Sequence, residues 1–437
     1  MTNKREMKGR ARPKVDIQRR RVIKGIAASG AAVITSPWTF QSSRAATKVI
    51  KIGQITPETG PIAAFGEPSK WVAEGVSKAL GDGIVVAGEK YKVQILNRDS
   101  QSNPNRASEV ATQLINNDKV DIMCASSTSY TTNPVADQCE LAGVPCISTS
   151  CPWQPWFFGR KGDPAKGFDW TYHFFWGLED IIGSYVGIWD QSGAQKVIGG
   201  LFPNDADGNA WGDPKLGLPG PLAAAGYKLI DPGRYQPLNN DFSAQIAAFK
   251  KAGVEIVTGV MIPPDFATFW SQAAQQGFRP KVVTVGKALL FPTTLDSFGD
   301  RGDGLTTEVW WAPTYPYKSS LTGISAGELC SSYEKASGKT WTATLGFSHA
   351  ILEVAIDVVQ RAKDLGDPKS ILDAIAATDL QTIVGPVKWT GKPVKNVCKT
   401  PLAGGQWTKK NGKFDLIIVA NPLSPQILVG GKLKLLG

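Results

Sequence analysis

The chain has few of the residues from which metal centres are built. Its 437 residues include two histidines and six cysteines, and no two cysteines form a C-x-x-C pair. This composition argues against a zinc site, because zinc takes most of its protein ligands from these two residue types. The first loop between a predicted strand and a predicted helix also lacks a G-x-G-x-x-G or G-x-x-x-x-G-K pattern, which argues against a bound dinucleotide or nucleoside triphosphate. We therefore expect no metal and no cofactor.

An excess of one charge is also absent from most of the chain. The sequence has 48 Lys+Arg and 38 Asp+Glu, but residues 1–45 contain eleven of the basic and two of the acidic residues, so nine of the ten net positive charges lie there. The rest is nearly neutral, and we expect no nucleic-acid partner. With 42% hydrophobic and 20% charged residues, the composition is that of a globular protein with about two or three domains.

Residues 1–45 have the three parts of an export signal. A basic stretch that includes Arg19 and Arg20 precedes the uncharged run 25–34, and Ser43-Arg44-Ala45 supplies the small residues that a signal peptidase recognises. The uncharged run is too short for a membrane-spanning helix, which needs roughly twenty apolar residues. The paired arginines resemble a twin-arginine signal, so we expect export to the periplasm and cleavage near residue 45. The general secretory route stays open.

Export would bring the six cysteines into an oxidising compartment. Cys124 and Cys146 lie in short apolar runs, where buried thiols are expected. Cys330 and Cys398 have polar, turn-rich surroundings. If the chain has one disulfide, we expect it between these last two residues.

From residue 49 onward, short β-branched runs alternate with helical patterns. One such series extends to about residue 148 and a second covers about 196–285, with an aromatic-rich segment between them. Because parallel strands need crossover connections, each series predicts a parallel sheet covered by helices. Four of the predicted helices are 104–116, 133–142, 211–225 and 347–365. The sequence therefore predicts an α/β protein with two Rossmann-like lobes.

Two loops at the carboxyl ends of predicted strands of the first lobe are candidates for ligand binding. In the loop 125–133, eight of nine residues have a side chain that can donate a hydrogen bond, and the start of the following helix favours anions. A carboxylate site and a hydroxyl-rich helix cap are equally good interpretations. The loop 148–158 combines small polar residues with a dense aromatic set, which predicts either one wall of a pocket or packing at a domain junction.

The second lobe has polar residues at equivalent places. The loop 202–213 contains three aspartates, among them Asp207, but it lacks the terminal glutamate of an EF-hand, so we expect no calcium. Lys287 follows another predicted strand, where its ammonium meets either an anionic ligand or solvent. His173 and His349 lie outside these loops, and we expect both to be packing residues. Because no nucleophile with a base and no pair of carboxylates is recognisable, we expect no enzyme.

Several separated motifs together carry a family resemblance. In chain order they are Ile50-Lys51-Ile52-Gly53 with Thr59-Gly60-Pro61-Ile62-Ala63, Asp99-Ser100-Gln101-Ser102-Asn103-Pro104-Asn105-Arg106-Ala107, Ala125-Ser126-Ser127-Thr128, Gly143-Val144-Pro145-Cys146-Ile147-Ser148, Asp241-Phe242-Ser243-Ala244-Gln245-Ile246, Gly385-Pro386-Val387 and Gln406-Trp407. This combination resembles the branched-chain amino acid (Leu/Ile/Val) binding family of ABC-transporter solute receptors. The resemblance covers essentially all of the chain after the leader. It implies a type I periplasmic binding protein fold, the Venus flytrap, in which a multi-strand hinge joins two lobes that hold a ligand between them.

The resemblance also implies lobe boundaries, ligand-binding residues and partners. The first lobe would comprise 46–175 and 312–400, and the second lobe 176–311 and 401–437. The implied ligand-binding residues are Phe65, Ser126, Ser127, Ser150, Cys151 and Trp153 on the first lobe, with Asp207 and Lys287 on the second. The protein would be a monomer that captures its ligand unchanged and delivers it to ABC permease subunits in the inner membrane.

Two positions depart from the pattern of family members that bind aliphatic amino acids. Those members usually have a tyrosine at the position of Asp207 and a carboxylate near that of Lys287. These departures argue against leucine or valine itself. The resemblance implies a small carboxylate-bearing ligand, such as an amino acid, an aromatic acid or a related compound. An acid without an α-amino group, or an amide, fits at least as well as leucine. A sensory receptor of the same fold and an exported hydrolase are the alternative functions.

Overall fold

The strands and helices of the chain follow from a computed structural model, which describes residues 48–436. The predicted export signal, with Arg19 and Arg20, lies outside these residues. The strands are β1 (Lys48–Thr56), β2 (Ile84–Val86), β3 (Glu89–Asp99), β4 (Ile122–Ser126), β5 (Cys146–Thr149), β6 (Thr171–Phe174), β7 (Val197–Pro203), β8 (Lys228–Ile230), β9 (Arg234–Tyr235), β10 (Ile256–Met261), β11 (Val282–Lys287), β12 (Thr306–Val309), β13 (Asp379–Thr382), β14 (Gly385–Lys388), β15 (Val397–Cys398), β16 (Ala403–Lys410) and β17 (Lys413–Ala420).

The helices alternate with these strands. They are α1 (Ser69–Leu80), α2 (Pro104–Gln113), α3 (Ser129–Ala142), α4 (Trp153–Phe157), α5 (Leu178–Trp189), α6 (Ala206–Trp211), α7 (Pro219–Ala224), α8 (Ser243–Ala252), α9 (Pro263–Gln275), α10 (Pro292–Asp296), α11 (Ala326–Ser337), α12 (Ala343–Arg361) and α13 (Pro368–Ala376). Single turns of tighter or wider helix occupy Ala63–Phe65, Leu114–Asp118, Ala288–Leu290 and Gly299–Gly302.

Two large sheets organise the fold. The first has the strand order β15-β6-β5-β4-β1-β3-β2, and the second has the order β17-β16-β12-β11-β10-β7-β8, with β9 beside β7. Neighbouring strands in the middle of each sheet are parallel, and antiparallel pairs occur only towards an edge, at β2 with β3 and at β16 with both β12 and β17. We name each sheet with its covering helices the first and the second lobe. This arrangement confirms the predicted α/β fold class.

The chain passes between the two sheets three times within residues 48–436. It leaves the first sheet after β6, returns after β12, and crosses again after β15 to add β16 and β17 to the second sheet. A separate hairpin, β13 with β14, precedes the last crossing. Several connections side by side provide the joint that the predicted hinge requires.

Helix α12 forms the centre of the first lobe. It packs against α1, β2, β4 and β5, and its buried residues include a continuous run from Ala343 to Ile356. By length and composition it is the one helix in the described part of the chain that could cross a membrane, but 89% of its most apolar window is buried inside the fold. Its apolar character is therefore explained by packing in the core.

Capping residues fix the start of several helices. The Asn103 side chain accepts hydrogen bonds from the backbone N–H groups of Asn105 and Arg106 at the start of α2, as its position before Pro104 predicts. Ser325 and Glu328 form a capping box at the start of α11. Such local interactions are the reason that these boundaries can be recognised in the sequence.

Three predictions of secondary structure were wrong in detail. The predicted helix 211–225 is helical only at Trp211, where α6 ends, and over α7 (Pro219–Ala224), because Pro214 and Gly217 interrupt the segment between them. Helix α3 begins at Ser129 rather than at residue 133, so half of the hydroxyl-rich loop is helical. The aromatic-rich segment between the two series, for which no strand is predicted, contains a buried strand, β6.

Candidate functional site

The carboxyl ends of the parallel strands bring the predicted polar residues to the space between the two lobes. Ser126 is the last residue of β4, and Ser150 follows β5, its parallel neighbour. On the second lobe, Asp207 lies in α6 directly after β7, and Lys287 is the last residue of β11. Open parallel sheets bind ligands at this edge, and here the edges of two sheets face each other.

A small cavity lies between these edges, and we name it the inner cavity. It is lined by Phe65, Ser150 and Cys151 of the first lobe, by Lys287 and Glu308 of the second lobe, and by several tryptophans. The space that water could occupy within it is about 10 Å³, which is room for roughly one water molecule. In this structure the two lobes therefore lie close together.

The first-lobe wall is rich in buried hydroxyl groups. The Oγ atoms of Ser126 and Ser150 are 2.9 Å apart and share a hydrogen bond, while the Ser127 hydroxyl is buried without a hydrogen-bond partner. No side chain caps the N-terminus of α3, although Thr128 occupies the capping position. The sequence is equally compatible with a hydroxyl-rich helix cap and with a carboxylate site at this loop. Because Thr128 does not cap the helix, the structure argues against the first interpretation.

The second-lobe wall carries a buried ion pair. The Lys287 ammonium contacts the Asp207 carboxylate and lies 3.9 Å from the carboxylate of Asp205. Burial lowers the pKa of Lys287, but the Asp207 and Asp205 carboxylates more than offset this and raise it. Lys287 therefore stays charged inside the protein.

The backbone of Lys287 is strained. Its φ of 62° and ψ of −65° lie in a region that non-glycine residues rarely adopt. Its side chain is buried between two lobes although lysine normally extends into solvent. Strain of this kind persists where the surrounding structure holds a residue in place, which is common at binding sites.

Contacts between the two lobes cross the cavity. The Ser129 hydroxyl of the first lobe donates a hydrogen bond of 2.7 Å to the Asp207 carboxylate of the second. The rings of Phe65 and Phe291 meet edge to face with centroids 5.0 Å apart. A carboxylate of the second lobe is thus held at the N-terminus of α3, where the helix dipole stabilises negative charge.

Glu308 is a component of the site that was not predicted. It lies in β12, is 1% exposed, and accepts hydrogen bonds from the Tyr185 hydroxyl at 2.6 Å and from the backbone N–H of Lys287 at 3.2 Å. Burial raises the pKa of Glu308, and the hydrogen bond from Tyr185 opposes this shift. Gly286 makes room for it, because a Cβ there would lie 3.2 Å from a Glu308 oxygen.

The predicted site residues are only partly at the cavity surface. Phe65, Ser150, Cys151 and Lys287 line it, whereas Ser126, Ser127 and Asp207 lie in the layer behind. Trp153 lies apart from the lining, at the start of α4, where its indole N–H donates to Glu179 and its ring packs against Phe157 and Phe158.

The remaining aromatic residues of the predicted loop are packing residues. Trp156 is fully buried, and its ring stacks on His173 at a centroid distance of 4.8 Å. Burial lowers the pKa of His173 to about 3, so the ring stays neutral. Its nitrogens bond to the Ser148 hydroxyl and to the carbonyl of Cys151. His173 is therefore a packing residue, as predicted, and it supports the loop that carries Cys151.

Other candidate chemistry has a structural explanation. Residues 48–436 contain no group of three or more His, Cys, Asp or Glu residues placed to hold a metal. The sequence 323–327 has the G-x-S-x-G pattern of a hydrolase elbow, but its serine, Ser325, is the cap of α11. Cys330 and Cys398 are free thiols, so the expected disulfide between them was wrong. Both are buried in the core.

Comparison with known proteins gives one family and many structural neighbours. The family model "Periplasmic binding protein" matches residues 49–413. The Leu/Ile/Val-binding protein homolog 7 of Brucella abortus (strain 2308) is 22% identical over 344 residues, which cover 76% of this chain and 82% of the relative.

Two solved structures show the same fold. The branched-chain amino acid transporter substrate-binding protein LivJ of Streptococcus pneumoniae, in complex with isoleucine, has a TM-score of 0.66 at 17% identity over 85% of this chain and 100% of its own. A solute-binding protein of an ABC transporter from R. palustris, in complex with 4-hydroxybenzoate, has a TM-score of 0.69 at 17% identity over 87% of this chain and 100% of its own.

Proposed function

Because this chain belongs to the periplasmic binding protein family, we propose that it is the solute-binding protein of an ABC importer. It captures a small carboxylate-bearing ligand between its two lobes and delivers it to permease subunits in the inner membrane. The observation that carries this proposal is the meeting of buried polar groups from both lobes at one cavity, with Ser150 on one side and Lys287 on the other. The ligand is bound and released without chemical change.

The hydrogen-bond donors at the site favour a ligand that carries a carboxylate group. Ser126, Ser127 and the N-terminus of α3 provide hydrogen-bond donors and a positive dipole end on the first lobe, and Lys287 provides a charged donor on the second. The structural neighbours with isoleucine and 4-hydroxybenzoate both hold a ligand with a carboxyl group. We propose that Phe65, Ser150 and Cys151 complete the first-lobe wall, and that Asp207 holds Lys287 in place on the second.

Closure is the proposed mechanism. Contacts such as the Ser129 to Asp207 hydrogen bond already favour an arrangement with the lobes together, and a ligand that touches both lobes shifts the population further. We propose that the lobes consist of 46–175 with 312–400 and of 176–311 with 401–437, because the chain passes between the sheets near these boundaries. The permease would recognise the closed form of a monomer.

We also propose that the protein is exported to the periplasm. The leader with Arg19 and Arg20 would direct the chain through the twin-arginine route, with cleavage near residue 45, so that the mature protein acts in the periplasm. The fold requires no disulfide, since all six cysteines are free. A protein of this kind can fold before it crosses the membrane.

The proposal is tested by calorimetric titration of the mature protein with matched pairs of ligands. Each pair consists of a carboxylic acid and its amide, such as 4-hydroxybenzoate with 4-hydroxybenzamide and isoleucine with isoleucinamide, within a panel of amino acids and aromatic acids. We expect binding of at least one acid with a stoichiometry of one, and much weaker binding of its amide. Binding of amides in preference to acids, or no heat from any member of the panel, would contradict the proposal.

A further inference from the structure

A second pocket lies at the mouth of the cleft, and we name it the outer pocket. Its volume is about 300 Å³. It is formed by both lobes: Ile62 and Tyr130 lie on the first-lobe side, and Leu238 and Ile262 on the second. Thr128 and Lys287 line both this pocket and the inner cavity, so the two spaces meet at these residues.

The volumes of the two spaces decide where most of a ligand fits. The inner cavity has room for about 10 Å³, roughly one water molecule. Pockets that bind small molecules usually have volumes of about 300 Å³ or more, and the outer pocket reaches that size. With the lobes as close as in this structure, the body of a ligand fits the outer pocket and only a small group reaches further in.

The lining of the outer pocket has a charged end and sides that are largely apolar, although Gln101, Ser102 and Asn103 contribute polar residues as well. Lys287 and Thr128 lie where it meets the inner cavity, and the carboxylate of Asp205 lies 3.9 Å from the Lys287 ammonium. The sides carry apolar residues from both lobes, including Pro61, Ile62 and Tyr130 opposite Pro237, Leu238 and Ile262. A ligand with a charged end and an apolar end would match this division.

Two of the apolar residues are exposed to an unusual degree. Tyr130 is 47% exposed and Leu238 is 59% exposed, one on each side of the pocket. Leu238 also has a positive φ of 63°, a conformation that is unfavourable for a residue with a side chain. The chain thus holds a leucine at the rim in a strained conformation, and such strain often marks a functional position.

We propose that the outer pocket is a second subsite, which binds an apolar extension of the ligand. The ligand carboxylate lies beside Lys287 and Thr128, and an alkyl or aryl group at its far end lies between Tyr130 and Leu238. This inference rests on the proposed function and narrows the ligand class to monocarboxylic acids with an apolar substituent remote from the carboxylate. Because that substituent touches both lobes, it adds to the stability of the closed form.

The test is calorimetric titration of the mature protein with benzoate, 4-ethylbenzoate and 4-butylbenzoate. Each methylene group buried in the outer pocket should raise the affinity by up to about fourfold. In the Leu238→Ser variant we expect this dependence on chain length to shrink markedly, and the affinity for benzoate to fall less than that for 4-butylbenzoate. The matched control is Leu216→Ser, an exposed leucine of the second lobe at 44% exposure, which should behave like the wild type.

The results of these titrations distinguish a failure of the second subsite from a failure of the proposed function. If benzoate binds and the alkyl groups add nothing or weaken binding, the second subsite is refuted while a carboxylate site stands. If Leu238→Ser and Leu216→Ser change the alkyl series equally, the subsite is refuted as well. If no acid in the series or in the wider panel binds, both the proposed function and the subsite fail.

Discussion

The buried ion pair of Lys287 and Asp207 predicts a strong energetic coupling between these residues. Lys287 is 7% exposed and Asp207 is 0% exposed, so Lys287→Met leaves a buried carboxylate that still accepts a hydrogen bond from Ser129. Removing one partner of a buried pair destabilises a protein by about 3 to 5 kcal/mol. We expect Lys287→Met to lower the free energy of unfolding at neutral pH by about this amount.

The second single variant and the double variant complete the cycle. Asp207→Asn should destabilise the protein less, because Lys287 retains the Asp205 carboxylate at 3.9 Å. The double variant buries neither charge, and exchange of a buried ion pair for uncharged groups of similar size is often neutral or stabilising. Its loss of stability should therefore be smaller than that of Lys287→Met alone.

Urea unfolding, followed by tryptophan fluorescence and by far-ultraviolet circular dichroism, measures these differences. The two signals should give coincident transitions, which is the condition for assigning one free energy to unfolding. If the losses of the two single variants add to that of the double variant within about 0.5 kcal/mol, the two side chains do not form a coupled pair. Asp207 would then not be the group that keeps Lys287 charged in the site.

Three further variants test other parts of the structure. Ser126→Ala with Ser127→Ala should weaken binding of an acid by about 1 to 3 kcal/mol per lost hydrogen bond while the protein still folds, and unchanged affinity would exclude these hydroxyls from the site. Burial raises the pKa of Asp265 to about 7 from its usual 3.8, so the folded state binds this proton more tightly and loses stability as the pH rises between these values. Asp265→Asn should accordingly raise the melting temperature more at about pH 8 than at about pH 5, and an equal effect at both would refute the shift. Gly346→Ala should destabilise the protein by about 1 to 3 kcal/mol or more, since the new Cβ would lie 2.3 Å from the Trp311 ring.

Two of these substitutions have matched controls elsewhere in the fold. Ser331→Ala removes an exposed hydroxyl from α11 and should leave ligand binding unchanged. Gly75→Ala lies inside α1, where nothing is within 4 Å of the added Cβ, so helix propensity alone should stabilise the protein by about 0.5 to 1 kcal/mol. Opposite signs for the two glycine substitutions would show that contact with Trp311 decides the effect.

The fold could be predicted from the sequence because its signals are local. Strands buried in parallel sheets appear as short apolar runs, and helices such as α2 appear through three-and-four spacing with a capping residue before them. The prediction of 347–365 for α12 differs from the observed Ala343–Arg361 mainly at its ends, where the helical pattern fades. The predicted helix 211–225 failed where Pro214 and Gly217 outweigh the spacing of apolar residues.

The site was less accessible to prediction because much of it depends on distant contacts. Rules for strand ends and the family resemblance indicated Ser150 and Lys287, which line the inner cavity. Glu308 has no local pattern that marks it, and its hydrogen bond from Tyr185 joins residues 123 positions apart. The role of these residues in binding stays a prediction until a ligand is identified.

The complete burial of the six thiols has a practical consequence. Burial raises the pKa of Cys124 and Cys151, and thiols that are protonated and shielded react slowly with alkylating reagents. A single new cysteine at the rim, for example Tyr130→Cys, would therefore take up a fluorescent dye selectively without removal of the native cysteines. Emission from that dye would change when the cleft opens or shuts, and libraries of metabolites could be screened optically for the cargo of the protein.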